Sequence, residues 1–132
     1  DVLSICFTGH FEPLENFRQQ VLSQYPMRFS TSVSLKLHVE ALMEILHPDA
    51  CKWKALKRYC DYKGIGKEEI LAFGDDNNDV EMIKNAGMGI VMVNGTDMLK
   101  SVGRATTRYT NDEKGVYLEL VTIFGELNDN HI

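Results

Sequence analysis

The order of apolar and polar positions divides the chain into a strand-rich first third and a remainder in which helices and strands alternate. Apolar and polar residues alternate from Leu3 to Phe7 and from Met27 to Val33, and each run predicts a half-buried strand. A helix between them begins near Glu12, with Pro13 in its first turn, and ends before Pro26. Its apolar residues recur at helical spacing: Leu14, Phe17, Val21 and Leu22. The first third therefore has an α+β pattern.

The segment from Leu35 to Ile45 fits two structures. Every odd position is apolar, which is typical of a strand, but a helical stripe is also present. The stripe consists of Leu35, Val39, Leu42, Met43 and Leu46. We favour a strand bent near Glu40, because the alternation is unbroken and continues that of the preceding strand. Pro48 ends the segment, and we place a domain boundary there, between residues 1–48 and 49–132.

From Cys51 onward the pattern changes to helices alternating with strands. The predicted helices run from Cys51 to Gly64, from a cap at Asn78, from Thr96 to Val102 and from Asn111 to Gly125. In the last helix we expect Val116, Leu120, Ile123 and Phe124 to face inward. The predicted strands are Ile70–Phe73, Met88–Val93 and Arg104–Thr110. This alternation implies βαβ units and a Rossmann-like parallel sheet with flanking helices, an α/β fold.

One stretch, from Ile70 to Asp79, organises the rest of the chain. Four apolar residues lead into Gly74, and five polar residues follow, at the carboxyl end of a predicted strand, where open α/β sheets bind ligands. Three carboxylates, those of Asp75, Asp76 and Asp79, lie close in sequence and repel one another, so their clustering indicates a cation. Hard oxygen ligands favour Mg²⁺. A solvated Asp/Asn turn is the alternative, but the strand before it and the helix signal after it favour a site.

Composition narrows the function classes. The chain has 132 residues, of which 44% are hydrophobic and 25% charged, typical of one globular domain. The net charge of −5 argues against a nucleic-acid partner. The sequence contains neither an apolar run of transmembrane length nor a signal peptide, so we expect no membrane partner and a cytoplasmic protein. Because the chain opens with Asp1 and then a core-like strand, we expect it to be part of a longer protein.

The motifs in this order resemble those of haloacid dehalogenase-like phosphatases. Residues Gly74–Asp79 are similar to that family's fourth motif, Gly-Asp-x-x-Asn-Asp, and the continuations at Asn85–Asn94 and Asn111–Val116 resemble its Cof-type, sugar-phosphatase-like branch. The stretch Met43–Lys52 is similar to the junction between cap strand and motif-three lysine, although Cys51-Lys52-Trp53 departs from the usual Ser-Lys-Gly. The resemblance implies that residues 1–48 are the C-terminal part of an α+β cap and residues 49–132 the C-terminal half of the catalytic core.

The resemblance also implies roles for individual residues. Asp75 would coordinate Mg²⁺, Asp79 would coordinate it or orient its waters, and Asn78 would reach the substrate or its phosphate. Lys52 would neutralise phosphoryl oxygens, but a solvated basic face is an equal alternative, because Lys54, Lys57 and Arg58 share its predicted helix. Asp76 and Asn77 occupy the variable positions of the motif and are expected to be loop residues. The family's Asp-x-Asp nucleophile motif is absent from the sequence.

The leading hypothesis is therefore the C-terminal portion of a Mg²⁺-dependent phosphatase that hydrolyses small phosphorylated metabolites, sugar phosphates above all, through a phosphoaspartyl intermediate. We expect this chain alone to be inactive, and we expect its partner to be the missing N-terminal half or a second copy. Two alternatives stay open. The chain is a non-catalytic interaction or regulatory protein derived from this fold, or a fragment of a P-type ATPase phosphorylation domain, which carries a similar acidic loop.

Overall fold

The first part of the fold is a three-stranded antiparallel sheet with one helix. In the computed structural model, which describes residues 3–35 and 39–125, the strands β1 (Ser4–Gly9), β2 (Ser30–Ser34) and β3 (Ala41–Leu46) have the spatial order β1-β3-β2. Helix α1 (Phe11–Gln24) packs on this sheet through Leu14 and Val21. Their partners in a small buried cluster are Val33, Ala41 and Met43. We call this sheet with α1 the cap sheet.

The prediction of one bent strand from Leu35 to Ile45 is wrong. Strand β2 ends at Ser34, residues 36–38 lie outside the described residues, and β3 begins at Ala41. The two strands are antiparallel, with Ser34 opposite Leu42, so the chain reverses between them. Both strands of a hairpin keep the same period of two, and alternation therefore continued across the reversal. The preceding strand also begins later than predicted, at Ser30, since Met27 has a positive φ of 63° in a turn.

The second part of the fold is a parallel sheet flanked by helices, which confirms the predicted α/β class. Its strands β4 (Leu71–Gly74), β5 (Met88–Val91) and β6 (Ala105–Thr106) lie in that order. The helices are α2 (Lys52–Lys63), α3 (Val80–Asn85), α4 (Asp97–Lys100) and α5 (Gly115–Phe124). A second buried cluster joins the sheet to α2, α3 and α4: Cys60, Ile70, Ala72, Ile83, Ala86, Val91 and Leu99. The two sheets share no strand, and the change of sheet falls between β3 and α2.

Several predicted boundaries differ from the structure. The strand predicted over Arg104–Thr110 has two residues, and the last helix begins at Gly115 rather than near Asn111. A turn precedes that helix because the Glu113 carboxylate accepts hydrogen bonds from the backbone N–H and hydroxyl of Thr110. These hydrogen bonds hold the pKa of Glu113 below its ordinary value, with the backbone bond as the largest cause. Polar residues that favour a helix start thus form a turn before it.

The prediction that β1 is half-buried is wrong, and so is the predicted burial of part of α5. All six residues of β1 are exposed, including Ile5 at 49% and Phe7 at 37%. In α5, Ile123 is 43% exposed and Phe124 67%. An amphipathic pattern shows which face is suited to burial, whereas burial itself requires another element on that face. Among the described residues, no helix has the length and apolar character needed to span a bilayer.

Candidate active site

The acidic loop, Gly74–Asp79, connects β4 to α3 through a 3-10 turn over Asn77–Asp79. The Asp76 side chain caps this turn by accepting a hydrogen bond from Asn77 N at 2.7 Å. Asp79 Oδ2 accepts from the backbone N–H groups of Asp75 and Asp76, at 3.1 and 3.3 Å. The prediction that Asn78 caps the helix is therefore wrong: the 3-10 turn moves the capping position back to Asp76 and leaves the Asn78 side chain for other contacts.

Lys52, Asn78 and Asp79 lie together beside this loop. Lys52 stands at the start of α2, and its Nζ donates to Asp79 Oδ1 at 2.5 Å and to Asn78 Oδ1 at 3.3 Å. The Asp79 side chain is 5% exposed, whereas that of Lys52 is 51% exposed. Both carboxylate oxygens of Asp79 therefore have partners, so this buried charge is hydrogen-bonded and paired, as burial requires. Asp79 holds an ammonium group whose other side faces solvent.

Two other basic side chains of α2, those of Lys54 and Lys57, have different partners. Lys54 Nζ donates to Pro48 O at 2.6 Å and to Asp49 Oδ1 at 3.2 Å. Lys57 Nζ contacts Asp61 Oδ2 at 2.5 Å, one helical turn further along α2. Both pairs lie at the surface, and within residues 3–35 and 39–125 neither lysine makes a hydrogen bond or an ion pair with the acidic loop. The buried partner of Lys52 thus distinguishes it from the neighbouring lysines. The pattern of basic residues along the helix did not predict this difference.

Asp75 lies at the carboxyl end of β4 and is partly buried. Its backbone N–H donates to Asp79 and its carbonyl accepts from Thr96 N at 3.1 Å, while its carboxylate makes no hydrogen bond or ion pair within residues 3–35 and 39–125. A carboxylate is a suitable ligand for a hard cation such as Mg²⁺. In that same part of the chain, no three His, Cys, Asp or Glu side chains form a metal-binding group. The carboxylates of the acidic loop are therefore suited to supply one or two of the oxygen ligands that a Mg²⁺ site needs.

A cleft of about 360 Å³ lies beside the acidic loop, between the start of α2 and the cap sheet. Lys52, Asn77 and Asn78 line one wall, and Ser30, Thr31 and Ser32 of β2 line the other. Its volume falls within the range of small-molecule sites, roughly 300–1,000 Å³. Hydroxyl groups on one wall and an ammonium with amides on the other can contact a small anionic, hydroxyl-bearing ligand. Carboxylates and apolar side chains also line the cleft, among them Glu44, Glu81, Leu46 and Met98.

Glu15 and Arg18 of α1 also line this cleft as a pair. Arg18 donates two hydrogen bonds to the Glu15 carboxylate, at 2.6 and 2.8 Å, and Gln19 donates a third at 2.8 Å. The Arg18 hydrogen bonds hold the pKa of Glu15 below its ordinary value, against the opposing effect of burial. Arg18 is therefore paired with a carboxylate of its own helix, whereas the ammonium of Lys52 is paired with a carboxylate of the acidic loop.

Asp76 and Asn77 connect the acidic loop to β2, although both were predicted to be loop residues only. The Asp76 carboxylate accepts from Leu35 N at 3.2 and 3.3 Å, and Asn77 Nδ2 donates to Val33 O at 2.9 Å. The Asp-x-x-Asp spacing that forms a capping box was available in the sequence. The identity of their partners on β2 and directly after it, 41 and 44 residues away, was not available from the sequence.

Comparison with known proteins identifies relatives over most of the chain. Residues 1–120 match the family model of haloacid dehalogenase-like hydrolases. The chain is 43% identical over 75 residues to the 5-amino-6-(5-phospho-D-ribitylamino)uracil phosphatase YitU of Bacillus subtilis, covering 57% of this chain and 27% of that protein. It is 32% identical over 112 residues to the phosphatase YwtE of the same organism, which carries the same activity in its name, covering 85% of this chain and 37% of that protein.

Solved structures share the fold. A haloacid dehalogenase-like hydrolase from B. subtilis superimposes with a TM-score of 0.74 at 30% identity, over 92% of this chain and 40% of that one. A subclass IIB sugar phosphatase does so with a TM-score of 0.71 at 22% identity, over 93% of this chain and 44% of that one. The second likeness shows the fold alone. The chain spans less than half the length of each of these four proteins.

Proposed function

The chain belongs to the family of haloacid dehalogenase-like hydrolases, in its Cof-type branch, and we propose that it is the C-terminal portion of a Mg²⁺-dependent phosphatase acting on small phosphorylated metabolites, sugar phosphates among them. The observation that carries this proposal is the contact of Lys52 Nζ with Asp79 Oδ1 at 2.5 Å, beside a cleft whose opposite wall carries the hydroxyl groups of β2. This contact places an ammonium group where the acidic loop meets that wall. Relatives that are named as phosphatases support the reaction class.

Lys52, Asn78 and Asp79 would have different roles at the phosphoryl group. Phosphoryl transfer depends on positioning and on neutralising the charge spread over the phosphoryl oxygens. Lys52 would donate to one of those oxygens with the third N–H group of its ammonium, which neither Asp79 nor Asn78 uses. Asn78 accepts from Lys52 through Oδ1, so its Nδ2 is oriented to donate to a phosphate oxygen. Asp79 would act through Lys52 by holding the ammonium in place, since both its carboxylate oxygens are already bonded.

Asp75 is the residue we propose for the metal. A bound Mg²⁺ supplies positive charge that neutralises the transferring phosphoryl group and orients it. The carboxylate of Asp75 projects from the end of β4, and no described residue competes for it. We propose Asp79 as a residue that orients the loop and the metal's surroundings through its hydrogen bonds, rather than as a direct ligand. The remaining ligands would come from outside the described residues.

The nucleophile must also come from elsewhere, because the sequence contains no Asp-x-Asp motif. In the proposed reaction, a carboxylate oxygen of the motif's nucleophilic aspartate forms a bond to phosphorus as the ester P–O bond breaks, and the motif's acid/base aspartate gives a proton to the departing oxygen. Water then attacks the phosphoaspartate and loses a proton to the acid/base aspartate, which releases inorganic phosphate and regenerates the nucleophilic carboxylate. We propose that the N-terminal half of the same protein supplies both aspartates. The same absence favours a second candidate, a non-catalytic protein that binds phosphorylated ligands without turnover.

The test is titration of the chain with inorganic phosphate in the presence of MgCl₂, followed by backbone NMR and calorimetry. We expect saturable shifts centred on Lys52, Asn78 and the acidic loop. Lys52→Ala should weaken phosphate binding about tenfold, the equivalent of one charge-assisted hydrogen bond. Lys54→Ala is the matched control, because its side chain is 52% exposed against 51% for Lys52 and it pairs with a surface carboxylate.

Equal effects of the two substitutions, or shifts centred away from the acidic loop, would overturn the assignment of this site. The same samples should show no hydrolysis of p-nitrophenyl phosphate above background. Hydrolysis by this chain alone would show that it contains its own nucleophile. Adding the N-terminal half, expressed from the gene upstream of Asp1, separates the two candidates, because only the phosphatase gains turnover when that half binds.

A further inference from the structure

Asp76 and Asn77, the two variable residues of the acidic loop, have contacts that the proposed phosphate chemistry does not use. Asp76 is 7% exposed, and its carboxylate accepts from Leu35 N and from Asn77 N. Asn77 donates through Nδ2 to Val33 O at 2.9 Å. Thr96 Oγ1 donates to Asn77 Oδ1 at 2.8 Å and accepts from Leu99 N, so α4 fixes the orientation of the amide. The network joins β2, the acidic loop and α4.

The position of β2 explains why these contacts matter. Strand β2 pairs with β3 alone and is an edge of the cap sheet among the described strands. The backbone groups on its outer side therefore need partners from outside that sheet. Val33 O and Leu35 N receive theirs from Asn77 and Asp76. The acidic loop thus continues the hydrogen bonding of the sheet edge and holds β2 at a fixed distance.

The same strand forms one wall of the cleft. Ser30, Thr31 and Ser32 precede Val33 on β2 and face the cleft whose other wall includes Lys52 and Asn78. Asn77 and Asn78 are adjacent in the chain, so the residue that holds β2 is covalently joined to the residue proposed to contact phosphate.

We propose that Asp76 and Asn77 are positioning residues that hold the outer edge of β2 against the acidic loop and so set the width of the cleft for the non-phosphate part of the ligand. This inference rests on the proposed function of the cleft as a site for phosphorylated metabolites. It assigns the β2 wall to the hydroxyl-bearing part of the substrate and the Lys52 wall to its phosphate. A ligand that touches both walls depends on the separation that Asp76 and Asn77 impose, whereas inorganic phosphate touches one wall only.

The test uses Asn77→Ala, with Asn85→Ala as the matched control. Both substitutions remove a side-chain amide that donates to a backbone carbonyl, since Asn85 Nδ2 donates to Glu81 O at 2.7 Å, on α3 and remote from β2. Affinities for inorganic phosphate and for glucose 6-phosphate are measured by calorimetry with MgCl₂. For Asn77→Ala we expect the affinity for glucose 6-phosphate to fall at least tenfold and that for inorganic phosphate less than threefold. Asn85→Ala should alter the ratio of the two affinities less than twofold.

A conservative variant and an amide-exchange measurement keep the result interpretable. Asp76→Asn retains an acceptor for Leu35 N and should preserve the ratio of the affinity for glucose 6-phosphate to that for inorganic phosphate. Asp76→Ala should lower this ratio, as Asn77→Ala does. Hydrogen exchange of the Leu35 amide, which donates to Asp76, should become at least tenfold faster in Asp76→Ala than in Asp76→Asn or Asn85→Ala, with or without ligand.

The outcomes distinguish this inference from the proposed function. Asn77→Ala could lower the affinities for glucose 6-phosphate and inorganic phosphate by the same factor, or the ratio of these affinities could be the same in Asn77→Ala and Asn85→Ala. Either result would overturn the positioning role but not the phosphate site. If the unmodified chain binds neither ligand, the proposed function fails. The exchange rate of the Leu35 amide in Asp76→Ala then still decides whether the acidic loop holds β2, and an unchanged rate would overturn that too.

Discussion

Lys52 and Asp79, 27 residues apart in sequence, form an ion pair in which Nζ lies 2.5 Å from Oδ1 and the carboxylate is 5% exposed. The two residues stand on different elements, the start of α2 and the turn before α3. Because the carboxylate also receives two backbone N–H groups, the pair fixes the acidic loop and the lysine in one arrangement. Removing either partner should therefore affect the other.

The first prediction is an energetic coupling between these two residues. In a double-mutant cycle of Lys52→Ala and Asp79→Asn, we expect a coupling free energy of about 1–3 kcal/mol, since Lys52→Ala alone leaves a buried carboxylate without its cation. Urea unfolding of the four proteins measures it. The pair Lys57 and Asp61, whose side chains are 57% and 60% exposed, is the control cycle and should give less than about 0.5 kcal/mol. Equal coupling in both cycles would contradict the special role of the buried pair.

The second prediction concerns the metal. We expect weak Mg²⁺ binding centred on Asp75, because Mg²⁺ gives up its waters reluctantly and few protein ligands are present in the described residues. A titration with MgCl₂ should move the backbone NMR signals of residues 74–80 first. Asp75→Asn should abolish saturation, whereas Asp97→Asn, an exposed carboxylate in the first turn of α4, should leave it unchanged. Shifts that survive Asp75→Asn would place the ion elsewhere.

The third prediction tests the packing that supports the acidic loop. A Cβ at Gly89 of β5 would lie 2.0 Å from the carbonyl oxygen of Ile83, at the contact between α3 and the sheet. Gly89→Ala should lower the free energy of unfolding by about 3 kcal/mol, because backbone must move. Gly64→Ala should cost about 1 kcal/mol, since Gly64 has a φ of +71° but open space around it. Urea unfolding measures both, and the reverse ranking would show that α3 and β5 are packed less closely.

The fourth prediction concerns assembly. Strand β4 is an edge of the parallel sheet among the described strands, and Leu71–Gly74 contains neither charge nor proline to prevent pairing. We expect the isolated chain to pair with a second copy or to co-purify with an N-terminal fragment of the same protein. Sedimentation and mass spectrometry measure this.

A variant identifies the surface responsible. Leu71→Lys adds an edge charge to β4 and should shift a self-associated sample toward monomer, with circular dichroism as the control for folding. An unmodified chain that stays monomeric at high concentration and melts cooperatively would contradict the prediction.

The sequence by itself determined the fold class and the place of the acidic loop. An apolar run ending at Gly74 can be a buried strand of a parallel sheet, and the polar residues after it must then lie at the carboxyl end of that sheet. These are local consequences of period and polarity. For the same reason, alternation could not reveal the chain reversal between Ser34 and Ala41, because both strands of a hairpin share one period.

Only the tertiary structure decided which charges meet. Five basic residues on α2 look alike in sequence, and Lys52 differs from Lys54 because folding brings a buried carboxylate to Lys52. The partners of Asp76 and Asn77 on β2 were likewise unavailable, since they lie more than 40 residues away. Burial of β1 and α5 was overestimated because a pattern marks a face suited to packing, whereas exposure depends on what covers that face. Contacts between distant segments are set by the whole fold, which local periodicity does not encode.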